Sequence, residues 1–324
     1  MSVKSTKSGT GGVVLILLTL LGWSSVPLFL KYLTAYIDAW TANGWRYGIS
    51  ALFWAPVLVW GAWHRTLPAG LWRAALVPSL FNIAAQICFA WAPYYINPGL
   101  ITFLLRLQIV FVALGAYLLF PSERPVLRSP TYFFGVVIVF GGLLGLCFLG
   151  ETLPRGATAL GVGLAITAGV LYGGYSLAVR RYVHDISPVI AFATISLYTA
   201  IGVVSVMLLR GRDHGAVAWS LTWGRFGMLV ASAFAGIAIT HVTYYSAIAR
   251  IGVALSAGVI LLQPFITSTC SYFLFGERLT VGQWISGLTA MVGAVIMLNT
   301  QRRLTRPPST PRPRDERGTR IARE

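Results

Sequence analysis

Ten apolar runs, each close to the length that crosses a bilayer and joined by short connections, occupy the chain from Gly12 to Asn299. A spanning helix needs roughly 20 mainly apolar residues, because hydrocarbon offers no water to satisfy a bare backbone. The runs are Gly12 to Leu30, Thr41 to Trp63, Arg73 to Trp91, Gly99 to Phe120, Thr131 to Leu149, Ala157 to Val179, Pro188 to Leu209, Phe226 to Ile248, Gly252 to Phe275 and Val281 to Asn299. Spanning strands would instead alternate over about 10 residues. The pattern therefore predicts an all-α polytopic membrane protein with ten transmembrane helices. Composition agrees, with 56% hydrophobic and 10% charged residues against about 25% charged in soluble domains.

Lys4 and Lys7 precede the first run, as in a signal peptide, but the run is long and no clean small-x-small cleavage site follows. It reads as a retained helix. Cys88, Cys147 and Cys270 fall in separate helices, which suggests neither a disulfide framework nor a metal cluster. No cofactor is expected.

Ten helices with a cytoplasmic N-terminus put 17 of the 25 cations on the cytoplasmic side, six opposite, and Arg46 and Arg106 within helices. This satisfies the positive-inside rule, with Arg210, Arg212 and Arg225 as the exception. Trp40, Trp45, Trp219 and Trp223 near one face and Trp60, Trp63 and Trp72 near the other form interfacial belts. The expected location is a bacterial-type inner membrane with both termini cytoplasmic. Residues 300–324 hold eight arginines and four prolines, a composition expected to be disordered and to attract anionic lipid headgroups rather than nucleic acid.

An offset of 155 places Leu100 on Leu255, Leu107 on Leu262, Gln108 on Gln263, Tyr117 on Tyr272 and Phe120 on Phe275. A one-residue gap then aligns Glu123-Arg124 with Glu277-Arg278. The same offset pairs Gln86 with His241, and an offset of 149 pairs Trp23 with Tyr172 and Lys31 with Arg180. The organisation is thus a segment 1–11, a first repeat 12–149, a connection 150–156, a second repeat 157–299 and the tail. Five helices per half is an odd number, so the second half enters from the opposite side and the copies are inverted. Inverted repeats with a site between them suit alternating access.

With "LFGERLT" closing the ninth helix and "GLTAMVGAVIML" following it, the chain resembles the EamA-type drug/metabolite transporters over residues 12–299. Within that superfamily it looks most like the YddG-type aromatic amino-acid exporters. The resemblance implies a transporter of small metabolites, with aromatic and other neutral amino acids as substrates. The first half reads "LFPSERP" where the second reads "LFGER", and Pro264 faces Ile109, so the halves are expected to bend differently.

All nine acidic residues lie in loops, at helix ends or in the tail. Cation-coupled carriers commonly hold a carboxylate inside the bilayer, so facilitated diffusion or exchange of a neutral or zwitterionic solute is expected. The candidate substrate-binding groups are Asn82, Gln86, Gln108, His241, Tyr244, Tyr245 and Gln263, with Trp23, Tyr172 and Tyr175 as aromatic walls. Asn82 and Gln86 share a helix face, as do His241 and Tyr245. The same amides and imidazole could instead join helices by hydrogen bonds. Arg106 is a possible carboxylate anchor, although it points about 200° away from Gln108, which favours bonding to helix-end carbonyls. Arg46 is expected to snorkel to the interface. Glu123, Arg124, Glu277 and Arg278, with Pro264, are candidate gates or hinges. Gly141/Gly145 and Gly169/Gly173 are expected to let helices approach closely.

The partners expected are a small-molecule substrate and lipid, for a monomeric chain. Multidrug or other metabolite efflux is the alternative within transport. An intramembrane enzyme finds no HExxH, GxSxG or paired membrane aspartates, and a channel finds no filter-like loop. A retinal receptor is excluded, since the only lysines are Lys4, Lys7 and Lys31.

Overall fold

The computed structural model describes residues 8–121, 124–150, 156–251 and 253–304, and all of its regular structure is helical. The helices are α1 (Ser8–Leu33), α2 (Ala39–Trp63), α3 (Leu71–Trp91), α4 (Pro98–Leu105), α5 (Gln108–Leu119), α6 (Arg124–Leu127), α7 (Pro130–Phe148), α8 (Ala157–Tyr182), α9 (Pro188–Arg210), α10 (Trp223–Ala233), α11 (Thr240–Ile251), α12 (Val253–Ile260), α13 (Gln263–Phe275) and α14 (Val281–Leu304). A π turn, Phe234–Ala238, joins α10 to α11. Counting α4 with α5, α10 with α11 and α12 with α13 as broken spans gives the ten crossings. Among the described residues nine are long and apolar enough to cross a membrane. The tenth is α2, 25 residues long, whose hydropathy is lowered by Asn43, Arg46 and its tryptophans. Helix α1 begins at Ser8 and α14 runs to Leu304, so residues 8–11 and 300–304 are helical rather than terminal segments.

Large apolar side chains such as Leu52, Phe133, Phe273 and Leu274 face outward, where lipid rather than water is the solvent. The interior is polar enough to need pairing: Ser50 meets Ser196 at 3.1 Å between α2 and α9, and Thr19 meets Thr243 at 2.8 Å between α1 and α11. The most extensive helix contacts are α7 with α14, α2 with α9, α3 with α8, and α1 with α11. Exchanging the halves maps the first two pairs onto themselves and swaps the last two. Each half therefore packs mainly against the other half, as a pseudo-two-fold bundle does.

One face carries the turns after α1, α3, α9 and α13, and is named here by Lys31; the opposite face is named by Arg65. At the Lys31 face Asp38 caps α2, accepting from Thr41 N at 3.0 Å and Thr41 Oγ1 at 2.7 Å, and also accepts from Arg212 N at 3.1 Å. Burial opposes its ionisation, but the Thr41 hydroxyl and the two amides outweigh it and hold the carboxyl below its usual range. The anion thus ties the first half to the loop after α9. Exposed Trp60, Trp63 and Trp72 ring the Arg65 face and Trp219 and Trp223 the Lys31 face, whereas Trp45 turns inward to donate to Gly215 O at 2.9 Å.

The close approach of α7 and α14 uses Gly142, not the expected Gly141. A Cβ on Gly142 would stand 2.5 Å from Ala290 N and Ser286 O, whereas one on Gly141 meets nothing within 4 Å. Gly142→Val should lower the thermal unfolding midpoint of the purified protein, by a stability loss of about 2 kcal/mol from overpacking against backbone. Gly141→Val should leave the midpoint nearly unchanged, and equal effects of the two would contradict this packing.

Candidate functional site

Two of the ten crossings break at repeat-related positions. Helix α4 ends at Leu105 and α5 starts at Gln108; α12 ends at Ile260 and α13 starts at Gln263. At each break the backbone tightens to three-residue bonds: Leu107 N to Leu104 O at 3.1 Å and Val110 N to Leu107 O at 3.0 Å, matched by Leu262 N to Val259 O at 3.0 Å and Phe265 N to Leu262 O at 3.1 Å. Such 3₁₀ stretches within a helix often mark hinges. Pro264 lies in the first turn of α13, where a missing N–H costs nothing. The first-half break forms without a proline.

The glutamine that opens each second segment reaches to the other half. Gln263 Nε2 donates to Trp23 O at 2.9 Å, and Gln108 Nε2 donates to Tyr172 O at 3.3 Å. Trp23 and Tyr172 are themselves repeat partners, so the internal symmetry extends to the hydrogen bond. The local chemistry differs, however. Trp23 O would ordinarily accept from the residue four on, which is Pro27 and has no N–H. Gln263 fills that vacancy. At Tyr172 the carbonyl also receives the Ser176 hydroxyl at 2.9 Å, and Gln108 shares Ser176 Oγ at 3.0 Å. The Gly169/Gly173 face of α8 receives the first break, with Gly169 against Leu105 O and Gly173 against Phe111.

Arg106, the last residue before the first break, bonds through Nε to Thr102 O at 3.4 Å and through Nη2 to Gln263 Oε1. It therefore braces one break against the other. Arg46 departs from expectation. It does not snorkel; it is 1% exposed, and its Nε and Nη1 have no hydrogen-bond partner. Eight residues into α2 its side chain is enclosed by packed helices that leave it no route to the interface.

The structure gathers Trp23, His241, Tyr244 and Gln263 around the second break. Trp23 meets His241 edge-on at 5.5 Å and Tyr244 at 4.9 Å, and His241 stacks on Phe192 at 4.6 Å. His241 Nδ1 lies 3.1 Å from Ile237 O; a carbonyl only accepts, so Nδ1 carries the proton and Nε2 is left as an acceptor. Tyr172 faces Phe89 at 6.2 Å by the first break. Tyr175 on α8 and Tyr245 on α11 bring their hydroxyls to 3.5 Å within the second half. Asn82 is a junction, donating to Tyr47 Oη at 3.2 Å and Thr199 Oγ1 at 3.0 Å, with its own Oδ1 unpaired. Gln86 is buried with Oε1 unpaired.

At the Lys31 face, Gly276 adopts φ 68° and turns the chain back after α13, as its residue type allows. Glu277 then accepts from Ser271 Oγ at 2.6 Å and pairs with Lys31 at 3.1 Å. This ion pair joins the end of α1 to the turn between α13 and α14, and hence one half to the other. Arg278 lies over Tyr272 and, at the Arg65 face, its repeat partner Arg124 lies over Tyr117 and donates to Tyr117 O. Glu123 is outside the described residues. A cavity of about 420 Å³ opens beside this ion pair, lined by Asn97, Ser268, Tyr272, Glu277, Arg278 and Trp284 among others. It touches none of the ten candidate binding residues, which are packed between the helices.

Sequence reasoning missed Lys31 as the partner of Glu277, Tyr47 and Thr199 around Asn82, and the burial of Arg46. The repeat match of Lys31 with Arg180 was the signal for the first; no pattern announced the others.

Two halves of inverted order, interleaved about a pseudo-two-fold axis with matched broken helices, define a membrane transporter fold. The EamA-like transporter family matches residues 10–153 and 159–299, one copy per half. The chain belongs to that family, and is a multi-pass membrane protein of it. None of the curated proteins compared with it matches. In all, 23 chains of known structure match. One, described only as "Crystal structure of protein", aligns with TM-score 0.62 at 18% identity over 92% of this chain and 100% of its own length. At that identity the likeness speaks to fold alone.

The two glutamines should not be equivalent. Gln263→Ala strands Trp23 O and removes an acceptor from Arg106, so it should cost about 2–3 kcal/mol as buried unsatisfied groups do. Gln108→Ala leaves Tyr172 O with Ser176 and should cost about 0.6 kcal/mol, the average for a membrane-buried hydrogen bond. Chemical unfolding in detergent measures both; equal losses would show that Pro27 does not make the difference.

Proposed function

We propose that the chain is an alternating-access exporter of neutral amino acids, aromatic ones foremost, working by facilitated diffusion or exchange. Membership of a transporter family supports the coarse reading. The observation that carries the finer one is the chemistry gathered at the two breaks: amides, an imidazole, phenols and an indole. None of the described acidic residues lies within a span; Asp38, Asp185, Asp213 and Glu277 are all in turns. Such a lining suits a zwitterion bearing an aromatic ring, through stacking and cation–π contacts to its ammonium. It offers no carboxylate to carry a coupling proton.

In this reading the Lys31 face is the outer one, as the cation distribution favours, and the Lys31–Glu277 pair closes it. The tightened backbone at Arg106-Leu107 and Leu261-Leu262 supplies the joints about which the halves rock. When the pair parts, Gln108 and Gln263 slide on the carbonyls they hold and the aromatic walls separate. Because the two-fold interface is supplied within one chain, a monomer suffices.

Counterflow in proteoliposomes tests the substrate class. Liposomes preloaded with unlabelled phenylalanine, tyrosine or tryptophan should take up the labelled amino acid saturably with no imposed proton gradient. Failure of every aromatic amino acid, or accumulation only when a proton gradient is imposed, would contradict the reading.

A further inference from the structure

Arg46 is a buried cation about 10 Å along α2 from its start, and among the described residues no carboxylate pairs with it. Asp38, at the head of the same helix, is occupied by Thr41 and Arg212, and Glu277 is occupied by Lys31 and Ser271. Asp185 pairs with His184 at the surface, and Asp213 lies in the loop after α9. A guanidinium with buried, unbonded N–H groups is among the costliest things a fold can hold, and removal of a partner from such a charge is worth several kcal/mol. The surroundings nevertheless make room for it. Gly236, inside the π turn, lets its backbone approach so closely that a Cβ there would stand 3.0 Å from Arg46 Nη2. Single π turns recur at functional sites.

The unpaired acceptors are equally telling. Asn43 on α2 and Asn82 and Gln86 on α3 each bury a side-chain oxygen with no donor. Asn82 donates to the hydroxyl of Tyr47, the residue after Arg46 in the sequence, and Tyr172 faces Phe89. Open donors on a cation lie between α2 and the π turn, and open neutral acceptors lie on α2 and α3. Such donors complement a carboxylate, and such amide oxygens an ammonium.

We propose that Arg46, rather than Arg106, is the anion subsite of the transport path, binding the carboxylate of the solute, while the amide oxygens of Asn43, Asn82 and Gln86 receive its ammonium. Arg106 is already committed to Thr102 O and Gln263; Arg46 is not. This deepens the amino-acid reading above and rests on it for the identity of the solute, though not for the affinity of Arg46 for carboxylates.

The test uses the full-length protein and three probes of one shape: L-phenylalanine, 3-phenylpropionate, which keeps only the carboxylate, and phenethylamine, which keeps only the ammonium. Binding is read from the shift in thermal unfolding midpoint across a concentration series, and transport from counterflow. The wild type should bind the two carboxylates at least about tenfold more tightly than phenethylamine. Arg46→Gln should erase that preference by weakening the carboxylates alone, and Arg46→Lys should restore part of it, since an ammonium keeps the charge without the fork. Arg106→Gln should leave the preference in place. Equal binding of acid and amine by the wild type, or an unchanged ratio in Arg46→Gln, overturns the proposal. If Arg46→Gln fails to fold, the wild-type ratio and its reduction in Arg46→Lys decide. Carboxylate binding that depends on Arg46 without counterflow of any amino acid would keep the subsite and sink the proposed substrate. Phenylalanine counterflow indifferent to Arg46 would do the reverse.

Discussion

A proline in α1 leaves the Trp23 carbonyl without its helical donor, and the amide of Gln263 supplies one from the other half of the chain. Hydrocarbon does not forgive an unpaired carbonyl, so this bond fixes where α13 must begin. It also decides what stands beside it. Gln263 spends its donor on α1 and its acceptor on Arg106, which holds the end of α4 to the start of α13. The two broken crossings are therefore joined to each other and to the aromatic residues of α1 and α8. Trp23, His241 and Tyr244 stand beside that junction.

The internal symmetry explains why a single chain can build such a centre. Paired contacts of α2 with α9 and of α7 with α14 map onto themselves when the halves are exchanged, while α1 with α11 and α3 with α8 exchange places. Glutamine to aromatic carbonyl, and arginine over tyrosine, recur in both halves at opposite depths. The departures are local: Pro27 has no counterpart at Ser176, and Arg106 has none at Leu261. In the proposed motion of one half against the other, the joints are matched but unequally braced. Burial of Arg46 beside Gly236 is a further asymmetry, and gives the interface a positive centre that no carboxylate among the described residues pairs.

Much of this was legible in the residues. Continuous apolar runs located ten crossings because a bilayer fixes helix length more tightly than any soluble core does. The offset of 155 paired Gln108 with Gln263 before either was seen to start a helix. Pro264 marked the second break in the sequence, but the first, at the matched position, was not legible: Arg106-Leu107 carries neither glycine nor proline, and packs against the Gly169/Gly173 face of α8. Nor was the fate of Arg46. An arginine one-third of the way along a span ordinarily reaches for the interface, and only the three-dimensional enclosure by α2's neighbours prevents it. Gly142 in place of Gly141 shows the same limit, since a shift of one residue turns a contact from α14 to lipid. Spacing finds faces; which face meets which neighbour is settled by packing.

In the proposed cycle the halves move against each other about these joints, and the Lys31–Glu277 contact parts each time. Replacing the native Cys88, Cys147 and Cys270 and placing cysteines at positions 31 and 277 allows that contact to be made covalent with a bridging thiol reagent. Counterflow should stop when the two positions are bridged, and return when a cleavable bridge is reduced. Undiminished counterflow through the bridged protein would contradict the account.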